Sequence, residues 1–271
     1  MPKRSSRPAK AYQNKGFLNG PDARALRILS EYLEPNARFA HYRIEDTIIF
    51  FGSARVVPRA QAEAALKAAR AGGGDVRRAE LDLEMSQYYE ATRELARRLT
   101  EWSKALEDKE RRFVVCSGGG PGVMEAANRG ASEAKGINIG LNISIPFERI
   151  ENPHISRELA FEFHYFFMRK FWFAYLAKAV VVMPGGFGTL DELFELLTLI
   201  QTRKIRKHMP IVLFGTSYWA EVINFDALKD HGTIDPEDLE LLYRTDSVDE
   251  AFDFITRELK EHALGSPGAT L

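Results

Sequence analysis

Runs of consecutive apolar residues alternate with amphipathic stretches along most of the chain. The runs lie in "DTIIFFGSAR", "RFVVCSGGGPG", "INIGLNISI", "LAFEFHYF", "AVVVMP" and "MPIVLFG". Between them, apolar residues recur every three or four positions, as on the buried face of a helix. Strands that are apolar throughout and alternate with helices are typical of a parallel sheet covered on both faces. The pattern therefore predicts an α/β fold: a Rossmann-like, doubly wound parallel sheet with helices on both faces.

The same pattern predicts the main helices and the domain limits. We expect a helix over residues 22–34 that Pro35 and Asn36 stop, and only helices after "MPIVLFG". The stretch "AELDLEMSQYYEATRELARRLTEWSKALE" predicts one helix of about 25–30 residues. The predicted organisation is a flexible basic tail over 1–20, a single domain over 21–262 with a helical insertion at about 57–110, and a flexible tail over 263–271.

Composition narrows the class of protein. The 271 residues are 45% hydrophobic and 28% charged with a net charge of −1, which is ordinary for one large globular domain. Because the net charge is near zero and no unbroken apolar stretch approaches the roughly 20 residues of a membrane span, we expect neither nucleic acid nor a membrane as a partner. The basic N-terminus has no apolar segment behind it, so we expect no signal peptide. The single cysteine, Cys116, fits a small core residue in a cytoplasmic protein.

Three predicted strands end in glycine or small-residue turns, "FFGSAR", "VCSGGGPG" and "VMPGGFGT". The carboxyl ends of parallel strands share one edge of the sheet, and ligands bind beyond that edge. Glycine lets a backbone approach a ligand closely, and a helix start offers unpaired N–H groups to an anion. Neither glycine-rich turn has the Walker ending G-K-[ST] or fits G-x-G-x-x-G with its ribose-binding acid. We therefore expect a phosphate ester, bound differently from the usual modes for ATP and NAD.

The residues "TLDE" at 189–192 have two interpretations. In the first, Thr189 is an N-cap and Glu192 reaches back to its N–H in a capping box. In the second, Glu192 faces the ligand as a catalytic carboxylate. The capping box accounts for Thr189 and Glu192, but it leaves Gly185, Gly186 and Gly188 unexplained.

A basic pair, Arg169 and Lys170, lies in the first turn of another predicted helix, where cations oppose the helix dipole. A bound anion nearby would relieve that cost; an ordinary solvated pair is the alternative. The aromatic residues around the pair are typical of a core or a subunit interface, and a minority of them could cover a nucleobase. The histidines do not cluster along the chain, and neither H-E-x-x-H nor C-x-x-C occurs, so we expect no metal site and no cofactor.

"SGGGPGVMEAA", "MRK" and "PGGFGTLDE", in that order and spacing, resemble the LOG family over roughly residues 45–215. Its members are cytokinin riboside 5′-monophosphate phosphoribohydrolases, long mislabelled as lysine decarboxylases. The resemblance implies a Rossmann-like fold and hydrolysis of the N-glycosidic bond of a nucleoside 5′-monophosphate such as AMP, with release of free base and ribose 5-phosphate. It also implies a homodimer, with the active site beside the dimer interface.

The resemblance assigns Arg169 and Glu192 to catalysis and places Lys170 near the nucleotide. The residues that it implies for substrate binding come from the three turns and from "MRK": Gly52, Ser53, Gly118, Gly119, Gly120, Gly122, Met168, Lys170, Pro184, Gly185, Gly186, Gly188 and Thr189. Three departures from the compact members are Glu125 in "GVMEAA", a longer segment over 55–110 and an N-terminal extension. These features are similar to the longer, bacterial-type members, and they leave the preferred base and the oligomeric state open.

Cleavage of an N-glycosidic bond develops positive charge on the ribose, which a carboxylate beneath the sugar would stabilise while it orients the water. The resemblance gives this role to Glu192, with Arg169 holding the ribose or phosphate. The alternative is a non-catalytic nucleotide- or molybdenum-cofactor-binding protein on the same fold. A carrier needs the glycine turns but no carboxylate at the sugar, so the Arg169–Glu192 pair distinguishes the two functions. A decarboxylase that uses pyridoxal phosphate would need a Schiff-base lysine and a partner for the ring nitrogen, and no residue pattern identifies either.

Overall fold

A computed structural model describes residues 8–106, 111–145 and 152–268. Seven parallel strands form one sheet in the order β4-β3-β2-β1-β5-β6-β7. The strands are β1 (Thr47–Phe51), β2 (Val114–Ser117), β3 (Asn138–Ile143), β4 (Ala160–Phe163), β5 (Ala177–Val182), β6 (Ile211–Phe214) and β7 (Leu242–Thr245). The helices are α1 (Lys15–Leu18), α2 (Arg24–His41), α3 (Arg59–Ala68), α4 (Val76–Ala105), α5 (Val123–Glu133), α6 (Phe166–Leu176), α7 (Phe187–Gln201), α8 (Thr216–Val222), α9 (Phe225–Asp230) and α10 (Val248–His262).

Helices cover both faces of the sheet, which confirms the predicted fold class. Alternate residues of β1 point to opposite faces, so Ile49 and Phe51 belong to one core cluster while Ile48 and Phe50 belong to the other. The first cluster includes apolar side chains of α2, α6 and α7. The second includes those of α4, α5 and α10. Because both faces of β1 are buried, the strand is apolar at almost every position.

The predicted stop of α2 at Pro35 is wrong, because the helix continues to His41 with Pro35 inside it. A proline has no N–H to donate to the carbonyl four residues earlier, which here is that of Glu31. The indole Nε1 of Trp172 donates to this carbonyl at 2.9 Å instead. The Glu31 side chain also accepts from the backbone N–H groups of His164 and Tyr165, at the start of α6. Helix α2 therefore holds α6 in place through one residue.

The expectation of helices alone after β6 is also wrong, because β7 pairs with β6 in parallel at the sheet edge. Its sequence, "LYRT", is short and has only a half-apolar pattern, since its middle residues are not buried. An edge strand of four residues therefore lacks the continuous apolar run that identified the other strands.

The insertion between β1 and β2 contains α3 and α4, and α4 is the single 30-residue helix that periodicity predicted. The domain limits stay a prediction. Residues 11–13 and 15–18 form short helical turns, and the carbonyls of Ala263 and Ser266 and the N–H of Gly268 bond to buried ionised side chains. In the three described ranges, no helix is both long enough and apolar enough to cross a membrane.

Candidate active site

The order of the strands reverses direction at β1 and β5. The chain runs outwards from β1 to β4 on one side of the sheet, and from β5 to β7 on the other. At such a switch point the connections leave in opposite directions, so a crevice opens beyond the carboxyl ends of the two central strands. The turn after β1 begins at Gly52, and the turn after β5 begins near Pro184. The fold therefore places two of the three predicted turns at the position where doubly wound sheets bind ligands.

Backbone hydrogen bonds join the three turns. The N–H of Ser53 donates to the carbonyl of Pro184 at 3.0 Å, and the N–H of Val123 donates to the carbonyl of Ser53 at 3.0 Å. Gly122 has a φ of +71°, and a Cβ on it would lie 2.4 Å from the Ser53 carbonyl oxygen. Only glycine fits that contact. The predicted gathering of the turns is present in the fold.

A cleft of about 750 Å³ opens over the joined turns. The predicted residues that line it are Gly52, Ser53, Gly118, Gly120, Arg169, Pro184, Gly185, Gly186, Gly188, Thr189 and Glu192. Four of the predicted residues, Gly119, Gly122, Met168 and Lys170, do not line it. Gly119 and Gly122 shape the second turn from behind, with a positive φ at each, and Met168 is buried in the core.

Helix α7 begins inside the cleft, with Gly186 as its N-cap. The predicted N-cap, Thr189, is instead a buried residue inside the first turn, so the capping-box interpretation is wrong. No described side chain caps this end of the helix, and its first N–H groups precede the first intrahelical bond, from Leu190 N to the Gly186 carbonyl. A Cβ at Gly186 or at Gly188 would meet nothing within 4 Å. An anion can therefore approach these N–H groups along the dipole axis.

Glu192 bonds to Arg169 instead of to the start of its own helix. The Arg169 Nη2 donates to the Glu192 Oε1 at 2.8 Å, and the two side chains are 12% and 13% exposed. The Arg169 Nε is buried and has no hydrogen-bond partner among the described residues. The pair lies in the wall of the cleft.

Burial raises the pKa of Glu192 from its ordinary 4.5 to about 7, although the neighbouring charge of Arg169 works in the opposite direction. An acid whose pKa is near 7 exists in both protonation states at neutral pH, which suits a group that exchanges protons. Cys116 lies in the core beneath, and burial raises the pKa of its thiol, so it is poorly suited to act as a nucleophile.

Lys170 points away from the cleft. Its Nζ lies 2.7 Å from Asp191 Oδ2 and 2.9 Å from Glu195 Oε2. These carboxylates raise the pKa of Lys170 above its usual value, even though burial, the largest single influence, acts to lower it. The predicted position of the basic pair in the first helical turn is also wrong, because α6 begins at Phe166. Arg169 and Lys170 are its fourth and fifth residues and point to different sides.

Apart from Phe166, one of the aromatic residues around the basic pair that could cover a nucleobase, the sequence did not identify the other side chains of the cleft. They are mostly apolar: Ala54, Arg55, Met85, Met124, Ile143, Ile145, Phe166, Phe187, Leu190, Tyr218 and Val222. Tyr218 donates from its hydroxyl to the Gly185 carbonyl at 2.9 Å, which supports the turn after β5. Met85 arrives from the long insertion and Tyr218 from α8, so only contacts distant in sequence bring them here. For Phe187 the sequence gives a partial indication of a place in the cleft, because the residue stands between two glycines of the third turn. In the structure its side chain is 93% exposed.

The lining offers little to a metal ion. Among the described residues that line the cleft, Glu192 is the only acid, and no histidine or cysteine is present. The arrangement instead combines a helix N-terminus for an anion, a carboxylate with a raised pKa and an arginine beside it. It can hold a phosphorylated molecule and place a carboxyl group against another part of the same molecule.

Comparison with known proteins supports the family resemblance and the fold. A family model described as possible lysine decarboxylase matches residues 124–255, which include Arg169 and the whole of "PGGFGTLDE". No curated protein sequence matches the chain. The X-ray structure of TM1055, a Northeast Structural Genomics Consortium target, is similar with a TM-score of 0.50 and 21% identity, over 78% of this chain and 99% of that one.

Two further solved structures are similar at lower TM-scores. They are the Moco carrier protein from Chlamydomonas reinhardtii, with a TM-score of 0.47 and 19% identity over 80% of this chain and 99% of that one, and the molybdenum cofactor binding protein from the phototrophic bacterium Rippkaea orientalis, with a TM-score of 0.45 and 16% identity over 78% and 96%. At these identities a structural likeness shows the fold alone. The family-model match over residues 124–255 supports the resemblance to the LOG family, and the solved structure of TM1055 supports the Rossmann-like fold.

Proposed function

We propose that this protein hydrolyses the N-glycosidic bond of a nucleoside 5′-monophosphate, AMP or a cytokinin riboside monophosphate, to free base and ribose 5-phosphate. The observation that carries the proposal is the direction of the Glu192 side chain. It leaves its own helix start uncapped and bonds to Arg169 in the wall of a cleft at the switch point of the sheet. A protein that only carried a nucleotide would need the uncapped helix start but no buried acid with a pKa near 7 beside it.

The phosphate end of the substrate is assigned to the start of α7. The first N–H groups of this helix and the open space beside Gly186 and Gly188 suit a doubly charged phosphate. Fixing the phosphate there restricts the ribose to the neighbouring volume, which converts a bimolecular encounter into a positioned reaction.

Glu192 is assigned to the sugar. The C1′–N bond breaks with its electron pair going to the base, which takes up a proton, while positive charge develops on the ribose ring. Ionised Glu192 stabilises that charge and accepts a proton from the water whose oxygen bonds to C1′. Arg169 lowers the cost of a negative charge on the buried Glu192, because its Nη2 donates to the Glu192 Oε1.

The base is assigned to the apolar side of the cleft. Ile143, Ile145 and Phe166 line it, and Phe166 is 51% exposed. A flat, largely apolar purine suits such a wall, because aromatic faces stack well and lose little by leaving water. The proposal includes both adenine and a prenylated adenine as the base.

Exposed apolar side chains and the single buried cysteine support two further parts of the proposal, the homodimer and the location in the cytoplasm. Phe166 and Phe167 on α6, beside the cleft, are more than half exposed, and α2 presents Leu26, Leu29 and Leu33 on one exposed stripe. Exposed apolar surface of this kind is typical of a subunit interface, so we assign the protein to a homodimer. With one buried free cysteine, Cys116, we assign it to the cytoplasm.

The test is chromatography of the free base released from nucleoside monophosphates, starting with AMP. We expect release by the unaltered chain and a loss of about 100-fold or more in kcat for Glu192→Gln and for Arg169→Ala. Asp191→Asn is the matched control, because Asp191 is adjacent, 57% exposed and paired with Lys170 outside the cleft. Full activity in both site variants would show the assignment to be wrong. Binding of AMP by the unaltered chain without any turnover would favour the carrier function.

A further inference from the structure

Three potential metal ligands converge at the edge of the sheet opposite the cleft. His208 lies in the segment just before β6, while Glu258 and His262 lie in the last turns of α10. Their ligand atoms all lie within 4.8 Å of one another. From the sequence we expected the histidines not to cluster, because they are far apart along the chain. The fold corrects this expectation, since the ring centroids of His208 and His262 lie 4.2 Å apart.

Both imidazoles lie close to one carboxylate oxygen. The Nε2 of His208 lies 2.8 Å from the Glu258 Oε2, and the Nε2 of His262 lies 3.9 Å from the same oxygen. Residues four apart on a helix share a face, so Glu258 and His262 form a rigid pair of ligands. His208 supplies the third from another element.

One oxygen of the Glu258 carboxylate faces the two imidazoles and can act as an anionic ligand. Arg257 binds its other oxygen, Oε1, at 3.2 Å, which leaves Oε2 to the two imidazoles. Glu258 is only 16% exposed, so its side chain is held in place, whereas the two histidines stay accessible from solvent.

We propose that His208, Glu258 and His262 form a binding site for a divalent transition-metal ion of the zinc class. Zinc binds imidazole nitrogen and carboxylate oxygen at about 2.0–2.2 Å, and tetrahedral ligands then lie roughly 3.3–3.6 Å apart. The two separations from Oε2, 2.8 Å and 3.9 Å, lie on either side of that range. Small rotations of exposed imidazoles therefore complete the geometry.

The fourth ligand would come from the solvent side. A cavity of about 760 Å³ borders His208 and Glu258, and Arg203 and Arg206 line it as well. A site with three protein ligands keeps one tetrahedral position for water or an anion. The arginines of the cavity suit a small anion such as phosphate or a carboxylate in that position.

The test is titration of the full, untagged chain with Zn²⁺ after dialysis against a chelator, followed by calorimetry. We expect one Zn²⁺ per chain for the unaltered protein, and binding at least about tenfold weaker for His208→Ala and for His262→Ala. Titration with Co²⁺ provides a second readout, because its visible spectrum reports tetrahedral coordination by nitrogen and oxygen. Thermal unfolding with and without Zn²⁺ shows whether each variant folds.

His231→Ala is the control, because His231 is an exposed histidine outside the cluster. It should bind Zn²⁺ as the unaltered chain does. Three outcomes would overturn the proposal: no Zn²⁺ binding by the unaltered chain, unchanged affinity in both cluster variants, or an equal loss in the control. Since the cluster lies at the opposite edge from the cleft, hydrolysis of AMP is measured separately and decides nothing about the metal.

Discussion

Glu192 is a weaker acid than an exposed glutamate even though a guanidinium touches it. Burial alone disfavours the carboxylate strongly enough to outweigh the attraction of Arg169, and the pKa of Glu192 rises to about 7. The charge of Asp191 raises it further. Two measurable consequences follow, one for the rate and one for the stability.

The rate should depend on the ionisation of Glu192. We expect kcat/KM for base release to rise with pH through a midpoint near the pKa of about 7, because the carboxylate form stabilises the charge on the ribose. Replacement by glutamine should remove this limb, and Asp191→Asn should keep it with a lower midpoint. A profile that stays flat from pH 5 to pH 9 would contradict the role of the carboxylate.

The stability should depend on the same group in the opposite sense. The folded-state pKa of about 7 lies above the ordinary 4.5, so between these values the folded chain holds the proton more tightly than the unfolded chain. Stability from this group is full below about 4.5 and is lost as the pH rises through about 7. The difference corresponds to at most about 3 kcal/mol.

Urea unfolding of the unaltered chain and of Glu192→Gln at pH 5 and pH 8 measures this loss. We expect the glutamine variant to gain stability relative to the unaltered chain on going from pH 5 to pH 8, because glutamine cannot ionise. If Glu192 has the proposed role, an acid that lowers stability at the working pH fits the usual trade-off between function and stability. Equal differences at the two pH values would argue against a raised pKa.

At the scale of elements, the contact between α2 and α6 positions the arginine of the site. The carbonyl of Glu31 that Pro35 leaves without a helical donor accepts from Trp172, and the Glu31 carboxylate accepts from the start of α6. One residue on α2 thereby holds the helix that carries Arg169. The same contact explains why a proline is tolerated in the interior of an 18-residue helix.

This contact predicts a coupling between Trp172 and Pro35. Trp172→Phe should lower the free energy of unfolding by about 1–3 kcal/mol beyond its loss of volume, because the Glu31 carbonyl loses its donor. Pro35→Ala restores a backbone N–H at position 35, so in the double variant it should recover part of that loss. A double-mutant cycle by urea unfolding measures the coupling. Additive effects would show that the indole hydrogen bond contributes nothing specific.

At the scale of the whole molecule, the two edges of the sheet differ in what they hold. The carboxyl edge forms the cleft. The amino edge holds a buried ion cluster of Asp46, Arg112 and Lys178, in which Asp46 pairs with both cations. The chain that follows α10 closes this cluster, because Arg112 donates to the Ala263 carbonyl at 2.7 Å and Lys178 donates to the Ser266 carbonyl at 2.9 Å.

Removal of residues 263–271 should therefore destabilise the protein by about 3 kcal/mol or more, since it takes hydrogen bonds away from buried charges. Chemical denaturation at pH 7 measures the effect. Asp46→Asn serves as a second variant: if the closing segment acts through the ion cluster, its removal should cost a different amount in that background. A change of less than about 0.5 kcal/mol on truncation would mean that the segment is an ordinary flexible tail.

Much of the fold follows from patterns that are local in sequence. Strands β1, β2, β3, β5 and β6 are buried at every position, so each appears as a largely apolar run, and the helices between them have the expected period. The exceptions have physical causes. Strand β7 is a half-apolar edge strand, and α2 continues through Pro35 because a side chain distant in sequence satisfies the carbonyl that Pro35 leaves open.

The sequence by itself determined the parallel sheet and the gathering of the glycine turns at one edge, and its resemblance to the LOG family pointed to Arg169 and Glu192. The sheet and the turns depend on apolar periodicity and on turn chemistry, which act over a few residues. Only the tertiary structure decided that Glu192 turns to Arg169, that Lys170 turns away to Asp191, and that His208 joins His262. The direction of a side chain depends on which partner the fold brings close to it and on how deeply the fold buries it. The local sequence pattern contains neither piece of information.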